Sequence, residues 1–237
     1  MNFLFKHSLN KNLPKNILYI KSKINFIKKK REKNMNLNVN NFYSFREDTF
    51  SKIQNSNTFI KVAMALIMAC FTGLMAQLII PLPWTPVPIT GQTFAVLGAG
   101  LLLGRKYGVL SQVFYIVIGI CFIPWFGGMT GGLEVVLGST VGYFVGFILA
   151  AYFIGYISEK YSASRGLLKM TLTIGIANFI LIYVPGLTGL ALWAYLTGGV
   201  LLDPVSLLVM GLIPFIIGDI LKITSLGFIS KVFLPKN

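Results

Sequence analysis

The chain has 237 residues, of which 55% are hydrophobic and only 12% are charged, and this balance excludes a soluble globular domain. The net charge of +14 is concentrated in residues 1–61, which hold 13 of the 21 Lys and Arg residues and 3 of the 7 acids. The composition therefore indicates a polytopic membrane protein with a basic tail, and the charge does not indicate a nucleic-acid partner.

The tail, residues 1–61, is rich in Asn and Lys and lacks sustained apolar periodicity, so we predict a disordered segment. An organellar transit peptide and a basic anchor on anionic lipid are two interpretations of it. We favour a third, in which residues 1–34 are translated leader and the protein starts at Met35. The reason is that the codons for residues 28–33 can form a purine-rich ribosome-binding sequence just before that methionine.

Six membrane helices are predicted from Ile60 onward, separated by glycine, proline and charged residues. Their expected ranges are about 60–80, 90–104, 107–123, 134–157, 167–185 and 214–232. The apolar segment at about 187–200 is too short to count as a crossing. These helices form a membrane domain over residues 62–234.

Positive charge predicts the orientation of this domain. Lys and Arg precede the first helix, lie between helices two and three and between four and five, and follow the sixth. With six crossings all these positions fall on one side, which the positive-inside rule makes cytoplasmic, together with both termini. The loops of the opposite, outer side contain neither Lys nor Arg.

Two outer loops have the composition of a binding site. The loop at 83–90 is too rich in proline for a helix and too apolar for a solvated loop. It is either a stiff connector anchored by Trp84 in the membrane interface or a lid over a cavity. The loop at 124–132 holds four glycines, which allow the backbone to approach a ligand closely. Non-helical backbone at membrane depth is tolerated where it is buried or lines a cavity.

Asp219 and Lys222 place an acid and a base three residues apart on an apolar helix, so the two side chains share a face. Ionisable groups are costly inside a membrane, and such a pair is a functional-site hypothesis by default. The alternatives are a salt bridge that pins two helices together, or a lysine that extends to the interface.

Small residues at every fourth position predict close helix packing on the first and fourth helices. Either stripe can pack inside the bundle or against a separate membrane subunit, and we expect one of them to serve the interior. The stripes are Ala65, Ala69 and Gly73 on the first helix, and Gly138, Gly142 and Gly146 on the fourth.

Five motifs then occur in order over about residues 62–234, and together they resemble the BioY family, the biotin-binding S components of energy-coupling-factor (ECF) transporters. They are PVPITxQT at 86–93, GLLLG at 100–104, GGxxGG at 127–132, GxTxGY at 138–143 and PFxxGDxxK at 214–222. The resemblance implies an all-α membrane protein with six transmembrane helices in the ECF S-component fold, located in the cell membrane.

The resemblance also implies a biotin site on the outer side and three kinds of partner besides the lipid bilayer. These partners are biotin, a transmembrane coupling subunit and two cytosolic ATPase subunits. Ala65 and Ala69 are then expected to dock the coupling subunit. An S component for a different vitamin is the alternative within this class.

Biotin carries a ureido ring with two N–H donors and a carbonyl acceptor, a thioether and a flexible acid tail. Asp219 can accept the ureido N–H groups, and Lys222 can donate to the ureido oxygen or meet the carboxylate. Alternatively, the two satisfy each other and only shape the cavity. The other expected binding residues are the polar Gln92, Thr90 and Thr130, the backbone at Gly128, and the aromatic Trp84, Trp125, Phe126 and Tyr143.

No cofactor, metal site or catalytic residue is predicted. The only histidine is His7, Cys70 and Cys121 lie in separate apolar helices, and the chain has no nucleotide-binding motif. A membrane aspartyl protease would need a second helical aspartate, and no other predicted helix supplies one. A scaffold subunit of a membrane complex is supported only by the small-residue stripes.

Overall fold

The computed structural model describes residues 15–121 and 123–235, which are mostly helical. Its α-helices are α1 (Lys15–Asn55), α2 (Thr58–Ala76), α3 (Gln92–Cys121), α4 (Leu133–Val136), α5 (Val141–Lys160), α6 (Leu167–Ile176), α7 (Tyr183–Gly198), α8 (Pro204–Gly211) and α9 (Ile216–Phe233). Two short antiparallel strands, β1 (Ile79–Ile80) and β2 (Ile89–Thr90), form a hairpin between α2 and α3. A π-helical turn, Ala177–Ile182, joins α6 to α7, and 3-10 turns at Ser162–Arg165 and Ile213–Phe215 precede α6 and α9.

Within residues 1–61, for which we predicted disorder, the described residues from Lys15 to Asn55 form helix α1. Its 41 residues contain neither glycine nor proline, so no residue in it interrupts the helical hydrogen bonds. The chain divides into two compact units, one up to Asp48 and one from Thr49 onward. Residues 1–14 lie outside the described residues, and the leader hypothesis for residues 1–34 and the membrane-domain boundary at residue 62 stay predictions.

Within the described residues, five helical stretches are long and apolar enough to cross a membrane. They are Thr58–Ala76, Gln92–Cys121, Val141–Lys160, Leu167–Gly198 and Pro204–Phe233. Large apolar side chains on their outer faces remain exposed, for example Leu74 at 69% and Ile217 at 77%. Exposed apolar surface of this extent is covered by lipid in a membrane protein. The prediction of an all-α, multi-pass membrane protein is confirmed.

Helix α3 is two antiparallel limbs that meet at Gly104. Gly104 has φ 74° and ψ −176°, which is not helical, and its positive φ favours glycine. The Gln92 Nε2 atom donates to the Tyr115 hydroxyl at 2.6 Å, whereas 23 residues of straight helix would separate them by about 34 Å. The limbs correspond to predicted helices two and three. The count of six crossings and the cytoplasmic termini stay predictions, and this reversal supports the count.

The Glu159 carboxylate secures the reversal from α5. One oxygen accepts the Arg105 backbone N–H at 2.9 Å, and the other meets the Arg105 guanidinium at 3.1 Å. The predicted cytoplasmic loop between helices two and three is therefore a tight, charge-capped turn.

The helical stretch Leu167–Gly198 corrects the predicted helix end at residue 185, since it continues through Pro185 to Gly198 and includes the segment that we considered too short. Proline lacks the N–H that would bond the carbonyl four residues earlier. Here Pro185 follows the π-turn Ala177–Ile182, where the backbone hydrogen bonds have already shifted in register. Such local π adjustments let membrane helices accommodate proline.

The predicted start of the fourth helix at residue 134 is also wrong. Only Leu133–Val136 is helical there, a turn follows, and the long helix α5 begins at Val141. Gly138, Ser139 and Thr140 occupy the turn, where their low helix propensity is not a disadvantage. This turn brings the start of α5 towards the loop at 124–132.

Glycines allow α5 to contact its neighbours at backbone distance. A Cβ atom at Gly142 would overlap the Pro185 carbonyl oxygen, and one at Gly146 would lie 2.6 Å from the Ile182 Cα atom. The fourth-helix stripe at Gly142 and Gly146 therefore packs in the interior, against the π-turn and the start of α7. This contact fixes the positions of Tyr143 and Tyr183 relative to each other, with ring centroids 6.0 Å apart.

The stripe on α2 also packs inside the bundle, against α3. Ala65 and Ala69 are both 0% exposed, and a Cβ atom on Gly73 would lie 3.0 Å from the Trp125 ring. Their burial favours the internal-packing alternative, and the docking of a partner by Ala65 and Ala69 stays a prediction.

Candidate functional site

A cavity of about 390 Å³ lies inside the bundle, between the β-hairpin, the loop at 124–132 and helices α5, α7 and α9. Its volume is within the range of about 300–1,000 Å³ that is typical of small-molecule sites. Its polar lining residues are Thr90, Gln92, Thr93, Thr130, Ser139, Thr140, Asp219 and Lys222. The loops that border it are those of the predicted outer side, which lack Lys and Arg.

Asp219 and Lys222 form a buried ion pair in the cavity wall. The Lys222 Nζ atom lies 3.1 Å from Asp219 Oδ1, and the Asp219 residue is 1% exposed. Lys222 also donates to the Thr90 carbonyl oxygen and to the Thr93 hydroxyl, each at 2.8 Å. The ammonium group thus uses its three donors within the protein. The pair joins α9 to the β-hairpin and to the start of α3.

The other Asp219 oxygen is held from the helical stretch Leu167–Gly198. Asp219 Oδ2 accepts hydrogen bonds from Asn178 Nδ2, at 2.8 Å, and from the Tyr183 hydroxyl. Our sequence analysis missed both donors. Asn178 could have been noticed as a polar amide within an apolar crossing, since such residues are rare and tend to face the bundle interior.

Gln92 and Thr90 lie together at the end of the hairpin. The Thr90 hydroxyl donates to Gln92 Oε1 at 2.9 Å, and Gln92 Nε2 donates to the Tyr115 hydroxyl. Both residues line the cavity beside Lys222. Tyr115, which is fully buried behind them, was not predicted as a support of the site.

Thr130 lines the cavity from the glycine-rich loop, whereas the predicted Gly128 does not. Gly128 (φ 73°) and Met129 (φ 58°) instead form the tip of the loop, and Phe126 and Thr130 pair across its base. Gly127, one residue earlier, provides the backbone surface at the cavity. The ligand contact expected at Gly128 stays a prediction, and Gly127 is the glycine of this loop that lines the cavity.

The two predicted tryptophans do not line the cavity. Trp84 is 55% exposed, as expected of the interfacial anchor considered above. Trp125 is buried behind Phe126 and donates through Nε1 to the Tyr115 carbonyl oxygen at 2.9 Å. The aromatic lining comprises the predicted Phe126 and Tyr143 together with Phe144, Phe147, Tyr183, Trp193 and Phe215.

Gln77 holds the glycine-rich loop to the end of α2. Its amide nitrogen donates to the carbonyl oxygens of Trp125 and Phe126, at 2.9 and 3.1 Å, and its Oε1 accepts the Met129 N–H at 3.0 Å. One side chain therefore satisfies three backbone groups of the loop that carries Phe126 and Thr130.

We expect Gln77→Leu to weaken ligand binding about 3- to 30-fold, because three backbone groups lose partners and the loop loses its fixed position. Ligand titration of the purified protein measures this effect. Gln92 itself lines the cavity and is therefore unsuitable as a control, so Thr188→Val on the exposed face of α7 serves instead. A loss of the same size in both variants would contradict a specific role for Gln77.

Within the described residues, no three His, Cys, Asp or Glu side chains lie together as a metal site would require. The chemistry of the cavity is that of a binding site: one ion pair, several hydroxyl and amide groups, and an aromatic wall. It can orient a ligand that has a compact polar head and an apolar body.

Comparison with known proteins gives a consistent result. The profile of the BioY family matches residues 48–235. A probable biotin transporter BioY from Methanothermobacter thermautotrophicus is 49% identical over 139 residues, which are 59% of this chain and 88% of the relative. A probable biotin transporter BioY from Pyrococcus horikoshii is 31% identical over 171 residues, covering 72% of this chain and 94% of the relative.

A solved structure has a similar fold. The crystal structure of the S-component for biotin from an ECF-type ABC transporter superposes with a TM-score of 0.65 and 24% identity. The superposition covers 75% of this chain and 92% of that one. At this identity the likeness establishes the fold, and it agrees with the S-component fold predicted from the sequence.

Proposed function

Because the chain belongs to the BioY family, we propose that it binds biotin as the substrate-binding subunit of an ECF-type transporter and so serves biotin uptake across the cell membrane. One structural observation carries the proposal. A buried Asp219–Lys222 pair stands in the wall of an aromatic-lined cavity within the membrane domain, on the predicted outer side.

The cavity suits the chemistry of biotin. The ureido ring can meet the polar wall, where Asp219 Oδ1 is an acceptor for N–H. Lys222 can donate to the ureido carbonyl oxygen by exchanging one of its three contacts within the protein. Thr90, Gln92 and Thr130 add neutral hydrogen-bonding groups. The aromatic side chains of Phe126, Tyr143 and the other lining residues can cover the bicyclic ring and the thioether.

Uptake needs an energy source, which we propose comes from partner subunits. The sequence has no phosphate-binding loop, and its few acids do not form a chain for proton transfer. The proposal therefore includes a transmembrane coupling subunit and two cytosolic ATPases, and it assigns no enzymatic reaction to this chain. Exposed apolar faces on α2, α6 and α9 leave room for a membrane partner.

Isothermal titration of the purified chain with biotin tests the function. We expect saturable 1:1 binding and no chemical change in the biotin recovered from the complex. The same titration with thiamine and riboflavin tests the alternative, an S component for another vitamin. Binding of one of these in place of biotin would favour that alternative, and turnover of the ligand would favour an enzyme.

The burial of the α2 stripe gives a further prediction. Ala65→Leu should destabilise the isolated protein by about 1–3 kcal/mol and lower its biotin affinity, because three extra carbon atoms have no space between α2 and α3. Thermal unfolding in detergent measures the change. Cys70→Leu, which adds similar bulk on the exposed side of the same helix, is the matched control. A stable Ala65→Leu variant that binds biotin but loses its partners would contradict this prediction and support the docking hypothesis.

A further inference from the structure

Asn178 contacts the ion pair from outside the cavity. It is 0% exposed, it is not a lining residue, and its Nδ2 atom donates to Asp219 Oδ2 at 2.8 Å. The Tyr183 hydroxyl donates to the same oxygen. Two neutral donors therefore occupy Oδ2, while Oδ1 meets Lys222 at 3.1 Å. A carboxylate oxygen offers about two acceptor sites, so only Oδ1 keeps one for a ligand.

The π-turn is what brings these two donors together. Residues five apart on an α-helix point about 140° away from each other, so they cannot reach one acceptor. In Ala177–Ile182, the Tyr183 N–H instead bonds the Asn178 carbonyl oxygen, five residues back. The residues that close this wider turn are the same two that hold Asp219, and π-turns of this kind occur frequently at functional sites.

The amide of Asn178 is otherwise poorly satisfied. Its Oδ1 atom is buried and has no hydrogen-bond partner among the described residues. An unpaired buried acceptor is unfavourable, and a leucine of similar size would fill the space without one. Packing alone therefore does not explain an asparagine at this position, whereas its hydrogen bond to Asp219 does.

Building on the function proposed above, we infer that Asn178 is a positioning residue of the substrate site. Together with Tyr183 it fixes the plane of the Asp219 carboxylate, so that Oδ1 is presented both to Lys222 and to an N–H donor of the ligand. Asn178 acts through Asp219 and does not touch the ligand itself.

The test compares Asn178→Leu and Tyr183→Phe with Tyr195→Phe, a tyrosine on the exposed side of α7 that serves as the control. Isothermal titration should show about 10- to 100-fold weaker biotin binding for the first two variants, as expected for a lost hydrogen bond to a charged group, and no change for the control. The unfolding temperature of ligand-free Asn178→Leu should equal or exceed that of the parent. If this variant does not fold, Asn178→Ala removes the same donor without adding a branched side chain.

Biotin derivatives methylated on one ureido nitrogen or the other separate positioning from general support. Methylation of the nitrogen that faces Asp219 removes the donor, so the parent should discriminate strongly against that derivative, and Asn178→Leu should discriminate much less. If Asn178→Leu lost the same affinity for biotin and for both derivatives, the inference would be overturned. Biotin binding by Asn178→Leu as tight as that of the parent would overturn it too. If the parent binds no biotin at all, the proposed function itself fails, which is a different result.

Discussion

Asp219→Asn is expected to abolish tight biotin binding while the protein still inserts and remains monodisperse in detergent. The substitution keeps the size of the side chain but removes the negative charge that faces Lys222 at 3.1 Å. Truncating one partner of a buried charged pair costs about 2–5 kcal/mol, which corresponds to roughly 30- to 4,000-fold in affinity. Isothermal titration measures the loss, and size-exclusion chromatography establishes that the fold persists.

Lys222→Ala should have an effect of the same order, because it leaves Asp219 buried without a cation and frees the Thr90 carbonyl oxygen. Two matched controls are available. Asp203→Asn keeps the side-chain oxygen that caps α8, where Asp203 accepts the Val205 and Ser206 N–H groups at 3.1 Å. Lys169→Ala removes an exposed lysine on α6. If Asp219→Asn and Lys222→Ala both bind biotin as tightly as the parent, the ion pair serves only to hold helices together.

Gly142→Ala is expected to destabilise the membrane domain by about 3 kcal/mol or more, since overpacking against backbone cannot be relieved by a rotamer change. The added methyl group would overlap the Pro185 carbonyl oxygen, so α5 and α7 would have to separate. The contact between α5 and α7 also fixes the positions of Tyr143 and Tyr183, which line the cavity, so biotin affinity should fall as well. Thermal unfolding followed by tryptophan fluorescence measures the stability change.

Gly175→Ala is the control for helix propensity. Gly175 lies inside α6, and a Cβ atom there would meet no atom within 4 Å. Alanine should stabilise this position by about 0.5–1 kcal/mol, because glycine loses more backbone entropy on folding. If both variants lose stability to the same degree, the close approach at Gly142 is not what limits the packing.

The ion pair and the crossings were predictable because each depends on local sequence. An acid and a base three residues apart on an apolar helix must share a face, and long apolar runs must be satisfied as helices in lipid. The charged residues at 105 and 106 marked the reversal, and the structure places it at the neighbouring Gly104.

Other features depended on contacts distant in sequence. Pro185 suggested a helix end, but the π-turn just before it had already shifted the backbone hydrogen bonds. Trp84 and Trp125 were equally plausible ligand contacts by type, and only the tertiary structure shows that one faces outward and the other lies behind Phe126. The local sequence did not indicate that Gln77 supports the glycine-rich loop, because its three backbone partners lie about 50 residues away in the chain.

The closed hydrogen-bond arrangement around Lys222 has a consequence for selectivity. Asp219 and Lys222 together are electroneutral, so the ion pair adds no uncompensated charge to the cavity wall. A ligand that placed an anion against Lys222 would leave the site with a net negative charge, whereas a neutral polar ring would preserve the balance. We therefore expect the cavity to favour a ligand whose uncharged head meets the ion pair and whose acid group lies away from Lys222, and to disfavour small anions that lack such a head.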